Sequence, residues 1–261
     1  HNYAVVRVIQ AIIGALTCGF IFLTCEVMFD SKICLLSGII AILNPSFIKS
    51  SDYILTETLF TFILILTIFY MIKLVKAFSF KYAIIIGILL GVGSLIRSAS
   101  ALFTFFICGA LFFLLRKKYP CKKMIAAILI IISCFLLPII PWTIRNWIVF
   151  HEFIPISTNS GLNIYTCYTP AQGKMFGFTT KDKNTEDAKS LKSEVAQSSF
   201  LLKKSREKIR EMGFMKLFKL EIIKIMFFWC PFDWEIIGGG AYNFIYGFIL
   251  PFFIYGIFIY R

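Results

Sequence analysis

The sequence predicts an all-α, polytopic membrane bundle followed by an extracytoplasmic loop with interfacial amphipathic helices. Three observations carry that expectation. Of the 261 residues, 59% are hydrophobic and 16% charged, with a mean hydropathy of +0.82, whereas soluble domains run to about half apolar and about a quarter charged. Apolar runs close to bilayer thickness recur through the first 150 residues. Lys and Arg gather in alternate links between those runs. A cytosolic enzyme, a secreted disulfide scaffold and a disordered tail are excluded together.

In chain order, the apolar runs fall at 5–25, 33–47, 58–75, 82–96, 99–115, 124–142 and 241–260, giving seven passes. A helix needs roughly 20 residues to cross the hydrocarbon, so the second and fourth runs must tilt, extend through polar ends or be shielded by neighbours. If consecutive runs alternate direction, one side receives Lys32, Lys73, Lys76, Lys81, Arg116, Lys117, Lys118, Lys122 and Lys123, and the other only Lys49, Arg97 and Arg145. The positive-inside rule places the first set in the cytoplasm of a multi-pass cell-membrane protein. The segment after Trp142 then lies outside.

Residues 1–150 form the transmembrane part, with about six helices; 151–240 form the outer segment, and 241–261 start a further span. Within the outer segment, 152–172 contains Pro155, Pro170, Gly161 and several Ser, Thr and Asn, and reads as a loop of turns. From 187 to 212, Leu191, Val195, Leu202 and Ile209 recur at helical spacing among charges, which predicts an amphipathic helix. From 214 to 229, Met215, Phe218, Ile222, Ile225 and Trp229 oppose Lys216, Lys219 and Lys224, which predicts a helix lying in the membrane interface. No internal repeat is visible.

The net charge of +13 does not point to nucleic acid, because 151–234 holds 13 Lys/Arg against 9 Asp/Glu, or +4, and the remaining +9 lies in the links between spans. Of eight Cys, Cys18, Cys25, Cys34, Cys108 and Cys134 lie in or beside apolar runs, where a thiol acts as a small hydrophobe. Cys167 and Cys230 could pair or remain free thiols. With no CxxC and two His, no metal is expected, and no cofactor is called for.

Charges at membrane depth are costly, so each needs a reason. The alternating path brings Asp52, Glu57, Arg97 and Arg145 to the outer face. Arg97 follows Gly91-Val92-Gly93-Ser94 at a helix break, and serves either as an interfacial anchor or as the partner of a ligand phosphate or carboxylate. Arg145, beside Trp142, has the same two roles open. Glu57 opens an apolar run, where a carboxylate either offsets the helix dipole or contacts substrate. Asp52 reads foremost as a cap or turn residue.

The stretch Pro141-Trp142-Thr143-Ile144-Arg145-Asn146-Trp147, followed by Phe153-Ile154-Pro155 through Gly161-Leu162-Asn163-Ile164-Tyr165, resembles polyprenyl-phosphate-sugar-dependent membrane glycosyltransferases, the bacterial relatives of protein O-mannosyltransferases and lipid A aminoarabinose transferases. Leu55 to Phe60, Gly87 to Arg97, and Ser193-Glu194 through Lys224 to Pro231 agree in order. The resemblance implies a GT-C fold, an active site on the extracytoplasmic face and a polyprenyl-phosphate sugar as donor. It further implies an inverting reaction in which a carboxylate base takes the acceptor's proton. Arg97 and Arg145 would hold the donor phosphate, with Glu57, Asp52, Asn159, Asn163 and Tyr165 as substrate contacts. The acceptor, a cell-envelope lipid, glycan or protein, is not indicated.

In this family the base lies in the first extracytoplasmic loop, and His1 falls beyond it, so the 261 residues read as an internal stretch of a longer protein that alone inserts in membranes without transferring sugar. Other classes remain a multi-pass transporter or lipid flippase, or an assembly subunit. A transporter would be expected to place its ionisable residues near the midplane, whereas these lie at one face.

Overall fold

The computed structural model describes residues 3–53, 55–169, 182–229 and 249–256, with the side chains of residues 46, 49, 52, 227 and 228 left aside. Among the described residues there are ten bounded helices, further helical turns at 249–256, and no strand. The chain divides into two compact units, His1–Ser157 and Thr158–Arg261.

The first unit contains α1 (Tyr3–Glu26), α2 (Ser31–Ile42), α3 (Pro45–Asp52), α4 (Thr56–Lys76), α5 (Phe80–Ile96), α6 (Ser100–Leu115) and α7 (Cys121–Phe150). Helices α1, α4 and α7 are long and apolar enough to cross a membrane. Its outer surface is apolar: Leu102, Phe105, Phe106 and Leu137 are 68%, 72%, 74% and 59% exposed. Water-soluble monomers rarely tolerate such a belt, and lipid solvates it. The chain is thus an all-helical, multi-pass membrane protein. Several hydroxyls inside the helices are satisfied locally, those of Thr17, Thr24 and Thr67 donating to carbonyls four residues back.

The second apolar run does not form one helix. It breaks at Leu43-Asn44, and α3 restarts on Pro45, which has no N–H to continue α2 but fits the first position of a new helix. At about 1.5 Å per residue, the 12 residues of α2 are too short to span the hydrocarbon alone. Gly38 meets Phe22, and Gly14 meets Ser51, so α2 and α3 together run antiparallel to α1.

The short α5 is shielded by α7. A Cβ on Gly87 would lie 2.5 Å from the Ile131 carbonyl oxygen, and one on Gly91 would lie 2.4 Å from that of Phe135. Only glycines spaced by four allow the backbones this close, the small-residue contact that drives helix association in lipid. Both contacts advance together along the two chains, so α5 and α7 run parallel. Leu74, Ala83, Ile86, Leu111, Leu115, Ala127 and Ile131 fill the core beside them.

The second unit contains α8 (Ser160–Tyr168), α9 (Lys183–Lys189) and α10 (Glu194–Phe228). Helix α8 corrects the expected loop at 152–172. Pro155 and Pro170 lie outside it, and Gly161 is present because a Cβ there would sit 2.1 Å from the Ser198 carbonyl oxygen of α10. The glycine marks a tertiary contact rather than a turn. The helix expected from 187 also divides: a capping box of Asp182 and Thr185 starts α9, and the Ser193 hydroxyl accepts from the Val195 N–H at the start of α10. Cys167 is an exposed free thiol. Cys230 and most of the run at 241–260 lie outside the described residues.

Candidate functional site

Glu57 lies in the first turn of α4, where a carboxylate faces unpaired N–H groups. Arg97 follows α5 in extended conformation (φ −136°, ψ 103°), its N–H donating to Gly93 and its carbonyl accepting from Ser100 at the start of α6. The chain turns there because α5 ends and α6 begins within three residues. That turn projects the guanidinium across to α4, where Nη1 donates to Oε1 of Glu57 at 3.2 Å and the group lies 5.9 Å from the Phe60 ring centre.

The Arg97 and Glu57 side chains remain 47% and 39% exposed. Among the described residues one N–H of the five-donor fork is engaged, which leaves capacity for a planar or tetrahedral oxyanion. Beneath the pair, the fully buried Ser94 hydroxyl donates to Leu90 and accepts from Ser100 at 3.3 Å.

Arg145 is held differently. Its Nη1 donates to Oδ1 of the buried Asn146 at 3.1 Å, and its guanidinium lies 5.3 Å from the Trp142 ring and 5.8 Å from that of Phe150. His151 ends α7 in the left-handed conformation, and 152–157 folds back along the helix. Three side chains tie down that return: the Trp142 indole donates to the Ile156 carbonyl, the Thr143 hydroxyl to that of Pro155, and the Asn146 amide to that of Ile154 at 3.0 Å. Asn146 was not singled out from sequence. Its signal is Trp, Thr and Asn close together on the helix before a proline-bearing return segment.

The helix register relates these groups. Gly91 contacts residues 135 and 138 of α7; Arg97 lies six residues further on, at the level of 141 to 144, one residue before Arg145. At the same end, Gln10 donates to the Leu55 carbonyl. At the opposite end Lys76 donates to the Val27 carbonyl, and Tyr119 to that of Val75. Glu57, Arg97 and Arg145 therefore occupy one end of the bundle, and Lys73, Lys76 and the 116–123 link the other. Asp52 closes α3; its side chain lies outside the described residues. Between α1 and the α2–α3 pair runs an apolar groove of about 920 Å³, lined by Gly14, Cys18, Phe22, Leu35 and Ile39, with Arg7 towards the Gln10 end.

The remaining candidates belong to the second unit. Asn159 precedes α8 and lines a pocket of about 320 Å³ with Thr158, Lys189, Glu194 and Gln197. Asn163 is exposed on α8. Tyr165 is 1% exposed; its hydroxyl donates to the Asp182 carboxylate and accepts from the Asn184 amide at 2.9 Å. Burial pushes the Asp182 carboxyl up, but hydrogen bonds from Tyr165 and Thr185 and the charge of Lys208 outweigh it and hold it below its usual value. Burial, then the bond to Asp182, raises the Tyr165 phenol.

A profile of the dolichyl-phosphate-mannose-protein mannosyltransferase family matches residues 1–143, more than half of the 261. The match takes in Glu57 and Arg97, includes the first three residues of the 141–165 block and stops two residues before Arg145. No curated protein and no solved structure matches. With an apolar helical bundle and paired charges at one of its ends, the chain belongs to the dolichyl-phosphate-mannose-protein mannosyltransferase family of membrane glycosyltransferases.

Proposed function

We propose that the protein transfers a sugar from a polyprenyl-phosphate donor to a cell-envelope lipid, glycan or protein acceptor at the extracytoplasmic face. The observation that carries this is the Glu57–Arg97 pair at the bundle end away from the lysine-rich links. A phosphate reaching Arg97 would meet a delocalised cation with free donors, beside a carboxylate able to accept from sugar hydroxyls. Arg145, at the same level and fixed by Asn146, supplies a second cation. The apolar groove along α1 offers a path for the prenyl chain, with Arg7 at its polar end.

The transfer inverts the anomeric centre. A carboxylate takes the acceptor's hydroxyl proton, the oxygen attacks the anomeric carbon, and the bond from that carbon to the phosphate oxygen breaks on the opposite side. The leaving polyprenyl phosphate carries off the electron pair. Its charge grows in the transition state, so arginines already positioned there lower the barrier without reorganising. Glu57 is engaged with Arg97, which suits it to orienting the sugar, with Asp52 at the neighbouring end of α3. In the second unit, Asn159 and Asn163 are exposed candidates for substrate contact, while Tyr165 supports the α8 surface from within.

The test offers purified full-length protein in lipid nanodiscs a radiolabelled polyprenyl-phosphate mannose or a nucleotide-linked mannose, with a cell-envelope extract as acceptor. Label should pass to acceptor from the lipid-linked donor alone. Transfer from the nucleotide sugar would overturn the donor assignment.

A further inference from the structure

We infer that the 214–228 arm of α10 docks on an anionic lipid leaflet, with its apolar arc in the acyl region and Lys216 and Lys219 on headgroup phosphates. This goes beyond glycosyl transfer and does not depend on it. Helix α10 is two helices joined at Gly213, whose φ of 67° and ψ of 163° are not helical. That region is essentially restricted to glycine. A Cβ at Gly213 would meet nothing within 4 Å, so backbone direction, not space, requires the glycine there. The first arm is held on α8 at Gly161 and Ser198, and the elbow gives the second its own direction.

At 100° per residue, Phe214, Met215, Phe218, Ile222, Ile225 and Met226 fall within an arc of about 120°. All six are exposed, from 41% at Ile222 to 77% at Phe214. Lys219 and Lys216 follow beside that arc, both exposed and in no ion pair among the described residues. The remaining edge is already used: Lys224 pairs with Glu221 at 2.8 Å and lies 4.0 Å from the Tyr168 ring centre of α8. The surface left over is a broad apolar stripe with a cationic margin.

An anionic membrane matches both features, since apolar side chains enter the acyl boundary and flanking lysines meet the phosphates. A partner protein would need a long apolar groove with an acidic lip. The lipid surface is available to this chain throughout, because α10 is bracketed in sequence by the membrane helix α7 and the apolar run at 241–260.

The experiment uses the full-length protein with its native cysteines replaced and one reporter cysteine, Phe218→Cys or, on the first arm, Glu207→Cys, carrying an environment-sensitive fluorophore. Nanodiscs of phosphatidylcholine, alone or mixed with phosphatidylglycerol, contain lipids brominated on the acyl chains. In the mixture the label at 218 should be quenched by about twofold or more and the label at 207 unaffected. Quenching at 218 should fall in phosphatidylcholine alone, in high salt and in Lys216→Gln/Lys219→Gln. A label at 218 that is blue-shifted yet unquenched means that protein covers the face, and overturns the proposal. Equal quenching in both lipids, indifferent to salt and to the lysine variants, overturns the anionic headgroup assignment.

Discussion

The two units each contain a cluster of a carboxylate and its donors, and the clusters differ in what they leave open. In the first unit, Glu57 and Arg97 meet at 3.2 Å between helix ends and remain 39% and 47% exposed. In the second, Tyr165 is 1% exposed and its hydroxyl is committed to Asp182 and Asn184, with the Asp182 carboxylate also bonded to the Thr185 N–H and Lys208 6.0 Å from the tyrosine ring. A half-exposed ion pair contributes little to stability and can be taken over by a ligand. A buried, satisfied network holds helices together and has no vacancy. A carboxylate and its donors thus leave a half-exposed pair in one unit and close a contact between helices in the other.

The sharpest way to break that contrast is to remove Arg97. In the full-length enzyme Arg97→Ala should cost about 2 to 4 kcal/mol of transition-state stabilisation, the range for loss of a preorganised electrostatic donor. Turnover from a polyprenyl-phosphate sugar would read this, with thermal unfolding little changed. Arg97→Lys should recover only part, since a point charge does not reproduce the guanidinium fork. Unchanged turnover in a folded Arg97→Ala protein would reduce the residue to an interfacial anchor.

The opposite signature is expected in the second unit. Tyr165→Phe leaves part of the Asp182 network unpaired and should cost about 1 to 3 kcal/mol of stability, read by hydrogen exchange across α8 and α9. A strong loss of turnover without a loss of protection would move Tyr165 from scaffold to substrate contact.

Much of the first unit was legible in the sequence, and the reason is physical. Long apolar runs specify helices in lipid whatever their neighbours, so α1, α4, α5, α6 and α7 follow from composition alone. Charged residues at the edges of such runs are costly enough to stand out, which is how Glu57 and Arg97 were found, although their pairing across 40 positions needs the fold. Local signals misled where tertiary contact decides. Gly161 reads as a turn until α10 is seen against it, and Gly213 is silent until its φ is known. Asn146 looks like one more polar residue at a span's end until the return of 152–157 shows what it holds.

The pH dependence sharpens the contrast further. Asp182 has a folded-state pKa below its ordinary 3.8, so its contribution is fully present above that value and is lost as pH falls through the folded one. Tyr165 lies above its ordinary 10.0, so its contribution is complete below pH 10 and is lost as pH rises through the folded value. Tyr168 is raised too, by burial and then by its bond to Glu221. The second unit should therefore lose stability at both extremes. Asp182→Asn should reduce the acid limb while Glu221 and Glu207, also held below their usual values, maintain the rest, and Tyr165→Phe should reduce the alkaline limb while Tyr168 maintains the rest. Unchanged limbs in both variants would mean that the network does not hold the unit.

The smallest expected effect is also the most discriminating one. Glu57→Gln keeps the shape of the side chain and removes its charge, so the ion pair with Arg97 is lost together with the carboxylate's favourable interaction with the start of α4. At this exposure that loss should change stability by no more than about 1 kcal/mol, and Arg97→Ala on the same background should add little more. Turnover should respond quite differently, because the glutamine accepts hydrogen bonds from sugar hydroxyls less strongly and no longer holds the guanidinium in place. A double-mutant cycle measured twice, once by unfolding and once by turnover, would therefore give a coupling near zero in the first and a clear coupling in the second. A large coupling in unfolding would mean that Glu57 and Arg97 form a structural clasp between α4 and α5, of the same kind as Tyr165 and Asp182, and the distinction between the two units would collapse.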